Sequence, residues 1–227
     1  MTLLIGFTGP PSSGKNTAAD YLEAHHDFRQ VAFADAIRQA VLTLDPWVDT
    51  FYRLREVVRA WGWETAKRNS PEVRRLLQVF GTEVGRDMFG TEVWVDQVFK
   101  KIDTFPQGQR AVITDVRFSN EADALWARGG FLVRIKRDAS HHRGVLDHRS
   151  ETESAALVPD YHLPNHTSTE ELHRRLDRLV TRLSKQRRHA RRTSIRPDSW
   201  PPPKPSWPWW RPSSRSPVNR SPRSSGS

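Results

Sequence analysis

Gly9-Pro10-Pro11-Ser12-Ser13-Gly14-Lys15-Asn16-Thr17 stands between an apolar run, Leu3-Leu4-Ile5-Gly6-Phe7, and a segment of helical spacing, Lys15–His26. Two glycines frame four residues, and a lysine follows. Glycine lets the chain close a tight loop whose backbone N–H groups converge on an anion. The helix that begins near Lys15 turns its positive N-terminal end to the same point. Lysine adds a charge that can reach the β- and γ-phosphates of a nucleotide and follow the γ-group as it moves. Strand, loop and helix in this order are the context that a phosphate-binding loop requires. Gly9, Ser12, Ser13, Gly14, Lys15, Asn16 and Thr17 are therefore its candidate ATP-binding residues. The residue after Lys15 is Asn16 rather than Ser or Thr, and the hydroxyl comes one place later. Thr17 is assigned to the Mg2+ side of the nucleotide, with Asn16 left open as the alternative.

Working outward, Thr2–Thr8 and Phe28–Phe33 read as short buried strands. Asp35 can cap a helix over Ala36–Leu44. Residues 47–105 are mostly helical, with Ser70-Pro71-Glu72 a strong helix start and Leu76, Leu77 and Phe80 its apolar face. Ala111–Thr114 and Phe131–Ile135 are further strands, separated by a helix over Asn120–Arg128 that stops at Gly129-Gly130. Ser140–Ser150 is polar and loop-like, and Tyr161–Leu163 is a short fifth strand. The last helix starts at Thr167 or Ser168 and runs to about Gln186. Strands alternating with helices imply an α/β fold of three layers with a parallel sheet of about five strands.

The chain has 227 residues, a net charge of +10 and no cysteine. Disulfides, thiolate zinc sites and cysteine nucleophiles are excluded. From Gln186 onward nine Arg and Lys204 face Asp198 alone, so this stretch holds +9 of the total. Residues 1–185 are close to neutral, and the high charge is no argument that the folded part binds nucleic acid. The expected division is a catalytic domain over 1–186 and a basic Pro/Ser/Arg/Trp-rich tail over 187–227. The tail has too few aliphatic residues for a core and is expected to be disordered. It offers at most a weak nucleic-acid contact. No signal peptide and no run of about 20 apolar residues are visible, which points to the cytoplasm.

Ala111-Val112-Ile113-Thr114-Asp115 puts a carboxylate at the end of a buried strand, on the ligand side of a parallel sheet. Asp115 can hold Mg2+ through water or orient the attacking group. Arg117, two residues on, suits a two-pronged grip on a phosphate. Asn120 and Glu121 fall in the next helix start, where a turn or dipole role is an equal reading. Arg74 and Arg75 read as solvent-facing. His141, His142, His148, His162 and His166 lack the partners for a metal site.

The loop ending Gly14-Lys15-Asn16-Thr17 resembles nucleoside monophosphate kinases. Leu77–Arg86, Trp94-Val95, Ile113–Ala122 and His148–Glu151 resemble the bacteriophage deoxynucleoside monophosphate kinases, over about residues 3–183. Ser119 stands where that family's pattern has proline, and phosphomevalonate kinases share part of the pattern. The resemblance implies transfer of phosphate from ATP to a deoxynucleoside monophosphate, giving ADP and the diphosphate. It implies a helical acceptor-binding region over about 35–105 and a lid over about 136–151. Asp35, Arg86, Trp94, Arg117 and Glu121 are the candidate acceptor residues. Trp94 is either a base platform or core. Lys15 and Asp115, with Arg137 and Arg143 of the lid, are the candidate catalytic set, and a solvated basic loop is the other reading of the lid arginines. A homodimer is a family-level expectation. A kinase for another phosphorylated metabolite and a nucleic-acid-associated ATPase are the competing readings.

Overall fold

A computed structural model describes residues 3–137 and 149–193, with the side chains of 149–151 and 188–193 excluded. Five strands form one parallel sheet in the order β2-β3-β1-β4-β5. They are β1 (Leu4–Thr8), β2 (Phe28–Val31), β3 (Arg110–Ile113), β4 (Phe131–Lys136) and β5 (Tyr161–Pro164). The register pairs Ile5 with Val112 on one side and with Phe131 on the other. Every residue of β1 is buried, as a central strand covered on both faces must be.

Side-chain alternation divides the core in two. Ile5, Phe7, Val112, Val133 and Ile135 pack with Leu22 of α1 (Lys15–His26) and with Leu172, Leu176 and Leu183 of α8 (Thr169–Thr193). Leu4, Ala111, Ile113 and Leu132 pack on the other face with Val98 of α5 (Val93–Asp103) and Leu125 of α6 (Ser119–Ala127).

The helical region consists of α2 (Phe33–Leu44), α3 (Leu54–Asn69) and α4 (Pro71–Val79), followed by a π-helical stretch, Phe80–Met88, and α5. Val41, Val48, Leu54, Val57, Ala66 and Val73 give it a small core of its own. Ser70 caps α4 as its sequence requires, accepting from Val73 N–H at 3.3 Å. At Gly62 the helical path of α3 is broken by φ 70° and ψ 164°, a conformation open only to glycine.

Three expectations need correction. Helix α2 begins at Phe33, so Asp35 is its third residue rather than its cap, and its carboxylate accepts from Ala32 N–H at 3.1 Å. Residues Arg149–Ala156 form a helix, α7, whose first two residues fall within the loop expected over Ser140–Ser150. It has no large apolar residue, so no apolar stripe announces it. Arg134 of β4 anchors it, donating to the carbonyls of Ser154 and Leu157 at 2.7 Å. Helix α8 runs to Thr193, past the expected end at Gln186, because no Gly or Pro interrupts the chain before Pro197. Residues 187–193 are thus helical rather than the start of a tail, and 194–227 lie outside the described residues. Among the described residues no helix is long and apolar enough to cross a membrane.

Candidate active site

The loop between β1 and α1 is held in a strained shape. Gly9 and Gly14 have φ of 132° and 101°, and Ser12 has φ 57°. Lys15 Nζ donates to the carbonyls of Gly9 at 2.7 Å and Pro10 at 2.6 Å. The ammonium group therefore lies against the loop itself, where a polyphosphate would supply stronger acceptors. This placement, with the N-terminus of α1 beside it, fits a bound nucleoside triphosphate.

Asn165, just after β5, holds the loop from behind and had no signal in the sequence. Its side-chain N–H donates to the carbonyl of Ser13 at 2.9 Å, and its backbone N–H donates to Lys136. A Cβ on Gly14 would collide with the same amide. Because the peptide is planar and trans, fixing Ser13 C=O towards Asn165 aims Gly14 N–H the opposite way. Asn165→Ala should raise the KM for ATP and lower kcat/KM by about 10- to 100-fold, with the acceptor KM nearly unchanged. Steady-state kinetics with each substrate varied in turn measures this, and equal effects on both substrates would refute it.

The loop opens on a cavity of about 920 Å3. Pro11, Ser12, Lys15 and Asn16 line it, as do Thr114, Asp115 and Arg117 from the end of β3. Its lining also includes Asp35, Arg38, Glu64, Lys67, Arg68, Arg74, Gln78, Arg86, Trp94 and Glu121. The break at Gly62 precedes Glu64, Lys67 and Arg68, the α3 residues that reach the cavity. Of the two residues that follow Lys15, Asn16 lines the cavity, while Thr17 is an exposed residue of α1.

Asp115 reaches the cavity but is also a structural clamp. Its two oxygens accept from Phe33 N–H at 2.7 Å and Ala34 N–H at 3.0 Å. It thus caps α2 and fixes that helix to the end of β3. Asp35 is paired with Lys101 at 3.1 Å and lies 3.6 Å from Arg38. Arg38 was not anticipated, although it lies three residues from Asp35 and so on the same helix face. Its Nε is buried without a hydrogen-bond partner.

Arg86 and Glu121 form a buried pair. They are 6% and 3% exposed, with Arg86 Nη1 at 3.3 Å from Glu121 Oε1. Arg86 Nη2 donates to Asn120 Oδ1 at 2.6 Å, and the guanidinium lies 3.7 Å from the centre of the Phe118 ring. Arg86 Nε has no partner. Glu121 also accepts from the backbone N–H groups of Arg117 at 2.8 Å and Phe118 at 3.2 Å. Burial pushes its carboxyl up to about 8, and Asp115 adds to the rise; the two N–H groups and Arg86 pull the other way. Neither residue is a simple surface group, and Asn120 is part of the same network.

Trp94 sits in the core at 7% exposure, donating to Gly81 C=O at 2.7 Å. Its ring fills the space that a Cβ on Gly85 would occupy. The Gly81–Arg86 segment is therefore shaped around this indole, and the π-helical stretch carries Arg86 into the cavity wall. Arg117 is exposed at the cavity wall, and so is Arg74, which therefore faces the cavity and not bulk solvent alone. Arg75 pairs instead with Glu72 at 2.7 Å. Arg137 is exposed just past β4, while Arg143 and most of the expected lid lie outside the described residues.

A lysine-bearing loop at the end of the central parallel strand, facing arginines across a shared cavity, makes the chain a P-loop phosphotransferase by fold and site. The profile of the deoxynucleotide monophosphate kinase family matches residues 51–176. That is more than half of the chain, and the chain belongs to this family. A protein of Acanthamoeba polyphaga mimivirus, described provisionally as a deoxynucleotide monophosphate kinase, is 28% identical over 203 residues, covering 80% of this chain and 98% of its own. Among solved structures, dephospho-CoA kinase from Campylobacter jejuni has 14% identity and a TM-score of 0.42, covering 82% of this chain and 100% of that one. Shikimate kinase from Aquifex aeolicus has 11% identity and a TM-score of 0.40, covering 82% and 98%.

Proposed function

We propose that the protein transfers the γ-phosphoryl group of ATP to the phosphate of a deoxynucleoside 5′-monophosphate. An oxygen of the acceptor phosphate forms a bond to the γ-phosphorus. The bond from that phosphorus to the β–γ bridging oxygen breaks, leaving ADP and a deoxynucleoside diphosphate. The observation that carries this reading is the cavity shared by Lys15 and by Arg38, Arg86 and Arg117. Two phosphate-bearing substrates need two separate sets of cations, and the loop can serve only one of them.

In this reading Gly9, Ser12, Ser13, Gly14 and Asn16 cradle the ATP phosphates, and Lys15 bridges to the moving group. Arg86, Arg38 and Arg117 hold the acceptor phosphate, with Asp35 orienting Arg38. The unpartnered Nε atoms of Arg38 and Arg86 are the donors that an acceptor phosphate would satisfy. Glu121 holds Arg86 in place, and Trp94 shapes the wall behind it. Asp115 aligns α2 with the end of β3. Mg2+, when bound, would neutralise charge on the β- and γ-phosphates, held chiefly by phosphate and water, with Thr17 or Asn16 and Asp115 nearby. Arg137 and Arg143 would close over the transferring group and exclude water. The protein would meet these substrates in the cytoplasm, that of the host if a phage carries the gene. Light scattering on the full chain reads the homodimer that the resemblance implies.

The test is ADP release from ATP and Mg2+ across an acceptor panel. Deoxynucleoside monophosphates should drive it. Release driven only by phosphomevalonate, or only by DNA, would replace this reading with one of its competitors.

A further inference from the structure

Helix α3 is broken at Gly62, within the sequence Trp61-Gly62-Trp63-Glu64. Before the break, Leu54 and Val57 are buried in the small core of the helical region. An unbroken helix would next turn Trp61 inward, at the i, i+3, i+7 spacing, and would carry Trp63 to the side opposite Leu54. The reverse is found. Trp61 is 49% exposed, while Trp63 packs against that core and Ala66 is buried in it. The φ of 70° and ψ of 164° at Gly62 produce this exchange. Beyond the adjacent backbone, no described atom lies within 4 Å of where a Cβ on Gly62 would stand. Glycine is therefore required there by the backbone conformation and not by crowding.

Once turned inward, Trp63 meets Arg38 of α2, whose guanidinium carbon is 5.9 Å from the centre of the indole. Glu64, next in the chain, brings its carboxylate to 3.6 Å from Arg38 Nη2. Asp35 stands at the same 3.6 Å from Nη1. Three groups thus surround the guanidinium, and its Nε is buried without a hydrogen-bond partner. Arg38 and Glu64 line the cavity, whereas Trp63 does not. We propose that Trp63 and Glu64 are positioning residues, set by the break at Gly62, that aim Arg38 at the phosphate of the acceptor. The proposal rests on the reading of Arg38 as an acceptor cation. A long arginine side chain loses rotamer freedom when it is fixed, so a ring and a carboxylate that hold it beforehand spare the acceptor that cost. Lys67 competes for Glu64 at 2.7 Å, so the larger share falls to Trp63 and to the break itself.

The test is a pair of double-mutant cycles on the full chain, read by steady-state kinetics with ATP and a deoxynucleoside monophosphate each varied in turn. Gly62→Ala adds one methyl group in open space but disfavours the observed φ and ψ. It should raise the acceptor KM and lower kcat/KM by about 10- to 100-fold, with the KM for ATP nearly unchanged. Trp63→Leu keeps an apolar side chain against the core and should lower kcat/KM for the acceptor about fivefold, the size of a cation–π contact near a surface. In an Arg38→Gln background, itself impaired towards the acceptor, both changes should have almost no further effect, because they act through a side chain already lost. Should Gly62→Ala not fold, the Trp63→Leu cycle decides alone. Equal falls in kcat/KM in both backgrounds would overturn the proposal and leave Trp63 a core residue only. So would equal losses towards ATP and acceptor, or a Trp63→Leu protein with a lowered melting temperature and parental kinetics. A parent chain that phosphorylates no deoxynucleoside monophosphate would mark the failure of the acceptor reading instead, and this proposal would fall with it.

Discussion

Replacing Lys15 with alanine should abolish measurable phosphotransfer while leaving the fold intact. The ammonium group lies on the carbonyls of Gly9 and Pro10 in its own loop, and Lys15 belongs to neither apolar cluster of the sheet. Its loss therefore removes little stability. In the proposed reaction, by contrast, it would be the cation that follows charge from the β-phosphate to the transferring group. Loss of a donor aimed at developing charge costs about 10²–10³-fold in rate or more. Melting temperature and kcat/KM on the same preparation measure both halves. Near-normal turnover in a folded variant would remove the phosphate-binding assignment.

Arg86→Ala should affect both stability and binding. Arg86 fills a buried site between Glu121, Asn120 and the Phe118 ring, and removing it leaves a cavity and takes the guanidinium donors from both polar side chains. Leaving a buried polar group without its partner costs about 1–3 kcal/mol. Arg86→Met with Glu121→Gln replaces both partners and should recover much of that stability. The binding role is therefore better read from variants that fold. Arg86→Lys keeps a positive charge beside Glu121 but loses the planar fork that spans Glu121 and Asn120. Arg117→Ala removes an exposed cation from the cavity wall. Both should raise the acceptor KM and lower kcat/KM by roughly 10- to 1000-fold, with ATP affinity nearly unchanged. Titration with ATP and steady-state kinetics on the acceptor measure the two separately. A fall in ATP affinity with an unchanged acceptor KM would move these arginines to the donor side. An Arg86→Ala protein as stable as its parent would mean that the Glu121 pair contributes nothing.

The sheet was legible because its strands are short apolar runs bounded by turn residues, and the loop because two glycines and a lysine sit between a strand and a helix. Sequence spacing does not carry side-chain direction across the fold, and that is where the reading fell short. Asp115 was recognised as a strand-end acid, but its grip on Phe33 and Ala34 N–H joins segments 81–82 residues apart. Asn165 lies 152 residues from the carbonyl it holds. Arg86 and Glu121 were each singled out, yet nothing local says that they meet. Trp94 carried two readings, and its hydrogen bond to Gly81 with the close fit at Gly85 belongs to the core. Arg38 could have been found, since it follows Asp35 by one helical turn.

The central claim is that phosphate moves from ATP to the phosphate of a deoxynucleoside monophosphate. The most direct test is to supply ATP labelled in its γ-phosphate, with Mg2+ and one deoxynucleoside monophosphate at a time, and to follow the label. Recovery of the label in the β-phosphate of the deoxynucleoside diphosphate, dependent on Lys15, is the expected result. Recovery only as inorganic phosphate, whatever mononucleotide is present, would contradict it.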